Sequence, residues 1–316
     1  CFFCYYVLLM ANVIYVTKGE RLKKKNEQLV IEKESEEYYL DLDMIDVIII
    51  ETPQCYISAG AHLVCSRAEV PVLICNEKHQ PEVFCHSMYS YYKLTHRIKD
   101  QFTWLEKNNL SLKLKKLIIK KKIEHQRDLL FSVGTLTSTI RYINDLINEL
   151  EMLNDLTDEN IDKFESLAAR KYFSSIFGTN FKRFAQDDIN YSLNYSYSLL
   201  RSIIMSRILV KGLHPSIGLW HHNQFNNYNL SDDLIEIFRP MADYIVYKLS
   251  KNKTEFFEES KKILQNVVLQ KVIISNNSLN LKSGINWYID SVIKVFEESK
   301  IENLAIPNLR INNYEY

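Results

Sequence analysis

Apolar residues are spaced in two different ways along the chain. Before about residue 90 they fall in short β-branched or alternating runs, NVIYVT (12–17), QLVIEK (28–33), IDVIIIE (45–51) and VLIC (72–75), with charged breaks between them. A two-residue period or a brief continuous apolar run marks a strand. One stretch here, SAGAHLVCSRAEV (58–70), has helical spacing instead. Beyond about Tyr91 the period lengthens to that of a helix over 92–107, 111–134, 136–154, 159–177, 189–211, 231–249, 254–268 and 283–299. KVIISNNSLNL (271–281) interrupts these windows with a short β excursion. The pattern predicts an α+β fold: a small N-terminal β domain with one helix over 10–90, a linker near 87–95, and a larger all-α domain over 91–316.

Composition narrows the function classes. A chain of 316 residues, 47% apolar and 25% charged, is an ordinary globular protein large enough for two cores. Seven glycines and six prolines are few, in keeping with long helices. Basic and acidic residues number 39 each, so any nucleic-acid surface must be local and not a property of the whole chain. The cysteines at 1, 4, 55, 65, 75 and 85 follow no secretory signal and read as small buried side chains in a reduced, cytoplasmic setting. The opening CFFCYYVLLMANVIYV is short for a membrane span and lacks a basic flank. It reads as an upstream extension over 1–9 with the true start at Met10, and no membrane association is expected.

Three polar stretches of the helical region carry candidate chemistry. TDENIDKFESLAARKYFSSIFG (157–178) is a well-marked helix, with a capping Thr157 or Asp158, acids in its first turn and Gly178 to close it. Glu165 flanks its apolar stripe, and Ala168 and Ala169 leave room above the carboxylate. In SDDLIEIFRP (231–240), Asp233 and Glu236 are three apart and can share one helix face, and Pro240 predicts a kink at Glu236 because it has no N–H to give that carbonyl. Converging carboxylates resist ionising together unless a cation joins them, and oxygen ligands with an imidazole such as His221 suit Mg²⁺ or Mn²⁺. On spacing alone Glu165 can equally pair with Arg170, and Asp233 and Glu236 can be a cap and an exposed acid. His214 is the weaker histidine, because Pro215 holds it in a turn.

FESLAARKYF around Glu165, GLHPSIGLWHH around His221 and DDLIEIFRP around Glu236 together resemble the signature blocks of the CRISPR-associated spacer-acquisition integrases, the Cas1 family, in its type II form. LNYSYSLLRS (193–202) is similar to the family's Leu-Asn-Tyr helix, with Ser196 where glycine is usual; KKKIEHQRDLL (120–130) is similar to its basic helix and VPVLICNEKHQP (70–81) to the end of its β domain. The spacing from Ile217-Gly218 favours His221 over His222. The resemblance covers about residues 11–300 and implies a metal-dependent DNA endonuclease and integrase. Such an enzyme inserts prespacer DNA into a repeat array by 3′-hydroxyl transesterification, in antiviral defence. It implies Glu165, His221 and Glu236 as ligands of Mg²⁺ or Mn²⁺, Asp233 as a supporting acid whose loss is mild, and a homodimer bridged by a small partner, Cas2, on double-stranded DNA.

DNA needs a basic path to such a site. Lys113, Lys116, Lys120, Lys121 and Lys122 lie along one predicted helix, and Lys182 and Arg183 follow the Glu165 helix. Asn194 and Tyr195 of the Leu-Asn-Tyr run join them as expected DNA contacts. Phosphate contact without base readout suits an enzyme that accepts many sequences. Two rivals remain on sequence: a non-catalytic DNA-bridging scaffold of the same fold, and an RNase built on Arg207 and His214, which match an Arg-x6-His pattern.

Overall fold

Continuous apolar runs become buried strands. In the computed structural model β1 (Val13–Val16) and β5 (Val47–Ile50) are buried at every position and pair in parallel, β5 pairs in parallel with β7 (Val72–Cys75), and β8 (Pro81–Cys85) closes the edge antiparallel to β7. Strands covered on both faces need no polar alternation, which is why IDVIIIE reads as an unbroken run. The described residues are 13–45, 47–76, 81–85, 87, 94–251, 263–264, 267 and 269–309. The expected extension over 1–9 and most of the 254–268 window lie outside them.

A second sheet has the order β4-β3-β2-β6, from β2 (Arg21–Lys25), β3 (Gln28–Lys33), β4 (Glu36–Leu40) and β6 (Tyr56–Ile57). The sequence pattern predicts β3 but reads β2 and β4 as charged breaks. Their charges neutralise one another across strands: Lys23 pairs with Glu32 at 2.9 Å and Glu37 at 3.2 Å, and Lys25 with Glu37 at 2.5 Å. The turns are equally disguised. Asn26-Glu27 and Glu34-Ser35 both take positive φ at two successive residues, the two-residue hairpin geometry usually signalled by Asn-Gly. Helix α1 (Ala59–Arg67), capped by the Ser58 side chain, packs its Ala61, Val64 and Cys65 into the same core as Leu22, Leu29, Ile31, Ile48 and Ile50. Burial pushes the Cys65 thiol up to about 12, so it is a hydrophobe and no nucleophile.

The chain forms two compact units. One runs to Leu94 and takes in Met205–Leu213; the other takes Thr95–Ile204 and continues from His214. The second unit is built on α2 (Leu94–Glu106), α3 (Asn108–Ser132), α4 (Thr137–Met152), α5 (Asp158–Phe177), α6 (Asp188–Val210) as far as Ile204, α7 (Asn229–Ile235), α8 (Arg239–Lys251) and α9 (Leu281–Glu298). Helix α3 is its axis, and it buries Leu114, Ile118, Ile119, Ile123, Leu129 and Leu130. Among the described residues no helix is long and apolar enough to cross a membrane. The β excursion of 271–281 is a hairpin, β9 (Lys271–Ile274) with β10 (Asn277–Asn280), and β11 (Asn308–Leu309) adds a third strand to β9.

His125 on α3 ties these pieces together. Its Nδ1–H donates to the Ile237 carbonyl at 3.0 Å, and its Nε2 accepts the Leu309 N–H at 3.3 Å, so the ring must be neutral. Burial pushes its imidazolium from 6.5 down to about 3. The unfolded ring takes up a proton near pH 6.5 and the folded one only near 3, so this stabilisation is present above 6.5 and is lost as pH falls toward 3. His125→Gln should therefore flatten the acid limb of chemical-denaturation stability by up to about 1.4 kcal/mol per pH unit in that window. An unchanged limb contradicts the neutral, doubly bonded ring.

Candidate active site

Each acidic residue of the site is placed by a local feature of its own element. Helix α5 starts at Thr157, whose hydroxyl accepts the Asn160 N–H at 3.2 Å, and stops at Gly178, which takes φ +100°. That frame buries Ile161, Ala168 and Tyr172 and leaves Glu165 at the flank, 27% exposed. Glu236 sits where the helix expected over 231–249 breaks. Helix α7 ends at Ile235, a 3-10 turn covers Glu236–Phe238, and α8 begins at Arg239. Pro240 is the cause: without an N–H it cannot continue the α ladder, and the Glu236 carbonyl accepts from Arg239 instead.

The two glutamates meet at Lys122. Its ammonium lies 2.5 Å from Glu165 Oε1 and also pairs with Glu236 Oε2, while Arg239 Nε donates to Glu236 Oε1 at 2.8 Å. Lys122 and Glu236 are almost fully buried, 9% and 7% exposed. Burial alone would raise the Glu236 carboxyl; Arg239 and Lys122 outweigh it and hold the group at about 2. Burial likewise lowers the Lys122 ammonium, and the two glutamates return it above its ordinary value. Removing one partner of such a cluster leaves an uncompensated buried charge, at a cost of about 3–5 kcal/mol.

Asp233, one turn before Glu236, organises the histidine loop. This fully buried carboxylate accepts the backbone N–H of Leu219 at 2.5 Å, Trp220 at 3.4 Å and His221 at 3.2 Å, and bonds His221 Nδ1 at 2.6 Å. Burial pushes its pKa up, and these donors oppose that. Gly218 makes the wrap possible: a Cβ there would run into the His221 carbonyl oxygen and lie 2.9 Å from Asn229 Cβ and 3.0 Å from Asp233 Oδ2. The imidazole of His221 is about half exposed, at 48%, with Nδ1 committed and Nε2 as its other ring nitrogen. His222 is exposed. An asparagine at 233 keeps one acceptor oxygen but sets an amide N–H against some of these donors, so the substitution bears on the loop backbone as well as on the His221 ring.

Sequence reasoning overlooked the layer behind Glu236. Arg239 stacks on the Tyr197 ring at 4.7 Å, and both Tyr172 (2.9 Å) and Tyr197 donate to the fully buried Asp243. Burial raises the Asp243 carboxyl to about 6 despite these bonds. The signal was positional: 236, 239 and 243 recur at helical spacing, so the 3-10 turn and the start of α8 carry all three on one side.

The basic residues are placed differently from the expected surface. Lys122 is the main correction: it lies on the inward face of α3 and serves the glutamates, not solvent. Lys116 donates to the carbonyls of Glu151 (2.8 Å) and Leu153 (3.0 Å), capping α4, and Lys120 and Lys121 pair with Glu151 (2.8 Å) and Glu124 (2.9 Å). Lys113 and Lys182 are exposed. Arg183 reaches Asn194 at 2.9 Å and stacks 5.3 Å over Tyr197, so it is tied to α6. Tyr195 is a second correction, because at 3% exposure it belongs to the core, leaving Asn194 as the solvent-facing member of its run. Arg207 is buried and donates to Ser206 at 2.7 Å, and His214 bonds Ser216 of its own turn at 2.7 Å.

Among the described residues no three His, Cys, Asp or Glu side chains form a ready metal cage. The point where Glu165 and Glu236 converge holds the Lys122 ammonium, a cation already bound by the oxygen atoms that can receive another. His221, with Nδ1 held by a carboxylate, has the orientation typical of a metal-ligating imidazole.

The chain thus combines a β-rich unit with a helical unit that carries two glutamates on one buried cation and a carboxylate-anchored histidine. The model of the family "CRISPR associated protein Cas1" matches residues 13–276, and the chain belongs to that family. It is 26% identical over 313 residues to the CRISPR-associated endonuclease Cas1 of Neisseria meningitidis, covering 96% of this chain and 98% of the relative. Among solved structures it is similar in fold to a casposase bound to integration product (TM-score 0.73, 20% identity, 96% of this chain and 94% of that one). It is also similar in fold to part of a chain from a Cas6-RT-Cas1–Cas2 complex (TM-score 0.74, 12% identity, 93% of this chain and 36% of that one).

The Asp233 bond raises the His221 pKa above 6.5, against burial. The protonated pair therefore stabilises the metal-free chain fully below pH 6.5, and the contribution is lost as pH rises through the higher midpoint. In an NMR titration with EDTA, His221 should ionise above the ordinary histidine range, and Asp233→Asn should bring its midpoint down. Equal midpoints in the two proteins contradict this coupling.

Proposed function

We propose that this chain is a divalent-metal-dependent DNA endonuclease and integrase that inserts prespacer DNA into a repeat array. The observation that carries the reading is the convergence of Glu165 and Glu236 on one buried cation position in a Cas1 family chain. The casposase neighbour, bound to an integration product, supports strand transfer as the reaction. The Cas2-containing neighbour supports Cas2 as partner, and the sequence resemblance supports work as a homodimer.

Glu165, Glu236 and His221 would hold Mg²⁺ or Mn²⁺, and the donor set fits: two carboxylates already paired with a cation, and an imidazole with Nδ1 fixed. When bound, such a metal lowers the pKa of an attacking hydroxyl and neutralises charge on phosphate oxygens. The protein's share is placement. Asp233 fixes the His221 ring, Arg239 holds Glu236 ionised, and Tyr197 and Asp243 keep Arg239 in place. In strand transfer a DNA 3′-oxygen forms a bond to phosphorus, the target strand's P–O3′ bond breaks, and the proton of the attacking hydroxyl ends on the departing 3′-oxygen. One phosphodiester replaces another, so no nucleotide cofactor is required.

Glu165→Gln, His221→Ala and Glu236→Gln should each reduce strand transfer of a labelled prespacer into a repeat-bearing plasmid by at least about 100-fold, a loss of about 2.7 kcal/mol or more of transition-state stabilisation. Near-wild-type transfer by any one removes that residue from the site. Lys113→Ala combined with Lys182→Ala should lower DNA affinity at all sequences alike and reduce the log–log salt slope by about 1.8. A weaker affinity with an unmoved slope places the phosphate path elsewhere.

A further inference from the structure

Lys122 has an unusual position for a residue of a basic helix. It is in line with Leu114 and Ile118 at four-residue spacing on the buried face of α3, and it projects into the gap between two acids brought from α5 and from the 3-10 turn. A neighbouring lysine shows what an ordinary structural pair looks like here. Lys115 is as buried, 4% exposed, but its partners Asp158 (2.7 Å) and Asp162 (2.6 Å) are more than half exposed and belong to the first turns of α5. Lys122 instead engages the two glutamates assigned to the metal. Ammonium and metal would want the same oxygen atoms, and two cations cannot share that space without strong repulsion.

We propose that Lys122 is a built-in competitor of the divalent cation: its ammonium closes the site in the metal-free chain, and it must leave the Glu165–Glu236 gap when the metal enters. The inference rests on the metal-dependent reading above. Lys122 is thus a positioning residue. It keeps the two carboxylates at one point without a metal, and it weakens metal binding by the strength of the pairs that must break. The site is then preassembled yet only modestly attractive to free cations. DNA phosphates add negative charge at such a site, so a site of this kind favours loading the metal with substrate over loading it alone.

The test uses the full chain without DNA. Mn²⁺ binding is measured by calorimetry, and melting is followed in EDTA and in Mn²⁺, for the wild type and for Lys122→Met, which keeps the length of the side chain and removes its charge. The variant should melt below the wild type in EDTA, bind Mn²⁺ at least about tenfold more tightly, and gain more in melting temperature from Mn²⁺. A purely structural lysine predicts the opposite: Mn²⁺ affinity equal to or weaker than that of the wild type, which overturns the proposal.

A measurement on the wild type covers a variant that does not fold. Amine-reactive labelling read by mass spectrometry should find Lys122 protected in EDTA and labelled in saturating Mn²⁺, with Lys115 protected in both. Lys122 protected in both conditions also overturns the proposal. Glu165→Gln and Glu236→Gln separate the two layers of inference. If both bind Mn²⁺ like the wild type, the metal reading fails. If both lose Mn²⁺ while Lys122→Met matches the wild type, only the role of Lys122 fails.

Discussion

A buried carboxylate and a half-buried one can face each other with both ionised only if a positive charge joins them. In this chain that charge is the Lys122 ammonium, and much of the helical unit is arranged around it. Helix α3 brings the lysine, α5 brings Glu165, and a 3-10 turn brings Glu236. A glutamate held at about 2 by Arg239 and Lys122 is ionised at any physiological pH, so the site is a fixed concentration of negative charge with its counterions built in. The apolar packing of α3 makes this possible, since it supplies the rigidity that keeps three elements in register while their polar ends converge.

Small backbone features do the placing. Pro240 interrupts the α ladder and converts one turn to 3-10, so Glu236 and Asp233 serve different partners although they are three residues apart. Gly218 lets the chain pass close enough to Asp233 for one carboxylate to bind three backbone N–H groups and an imidazole. Behind them the Tyr172–Asp243–Tyr197 cluster supports Arg239. Each polar group at the centre is held by a group that is itself held, the usual requirement for a precise site.

Much of this was legible in the sequence. The runs at β1, β3, β5 and β7 and the long helical windows carry their own periodicity, and the proline predicts the break at Glu236. The charged hairpin strands β2 and β4 were hidden because their turns use Asn-Glu and Glu-Ser at positive φ and their faces are matched by ion pairs, not by apolar alternation. At the site, residue types and order pointed to the acids and to His221, but not to which acid meets which base. Lys122 was read with its basic neighbours, although its four-residue spacing from Ile118 already placed it on the buried face. Long-range pairs such as Lys122 with Glu165, 43 residues apart, leave no local pattern to read.

The most direct measurement is a crystal structure of the chain soaked in Mn²⁺, with diffraction recorded at the manganese absorption edge. A single strong anomalous peak touching Glu165, Glu236 and the Nε2 of His221, with the Lys122 ammonium displaced from between the glutamates, is the predicted result. A map with no peak there, or with manganese bound elsewhere and Lys122 still bridging the two glutamates at saturating metal, would contradict the metal-centred reading of this site.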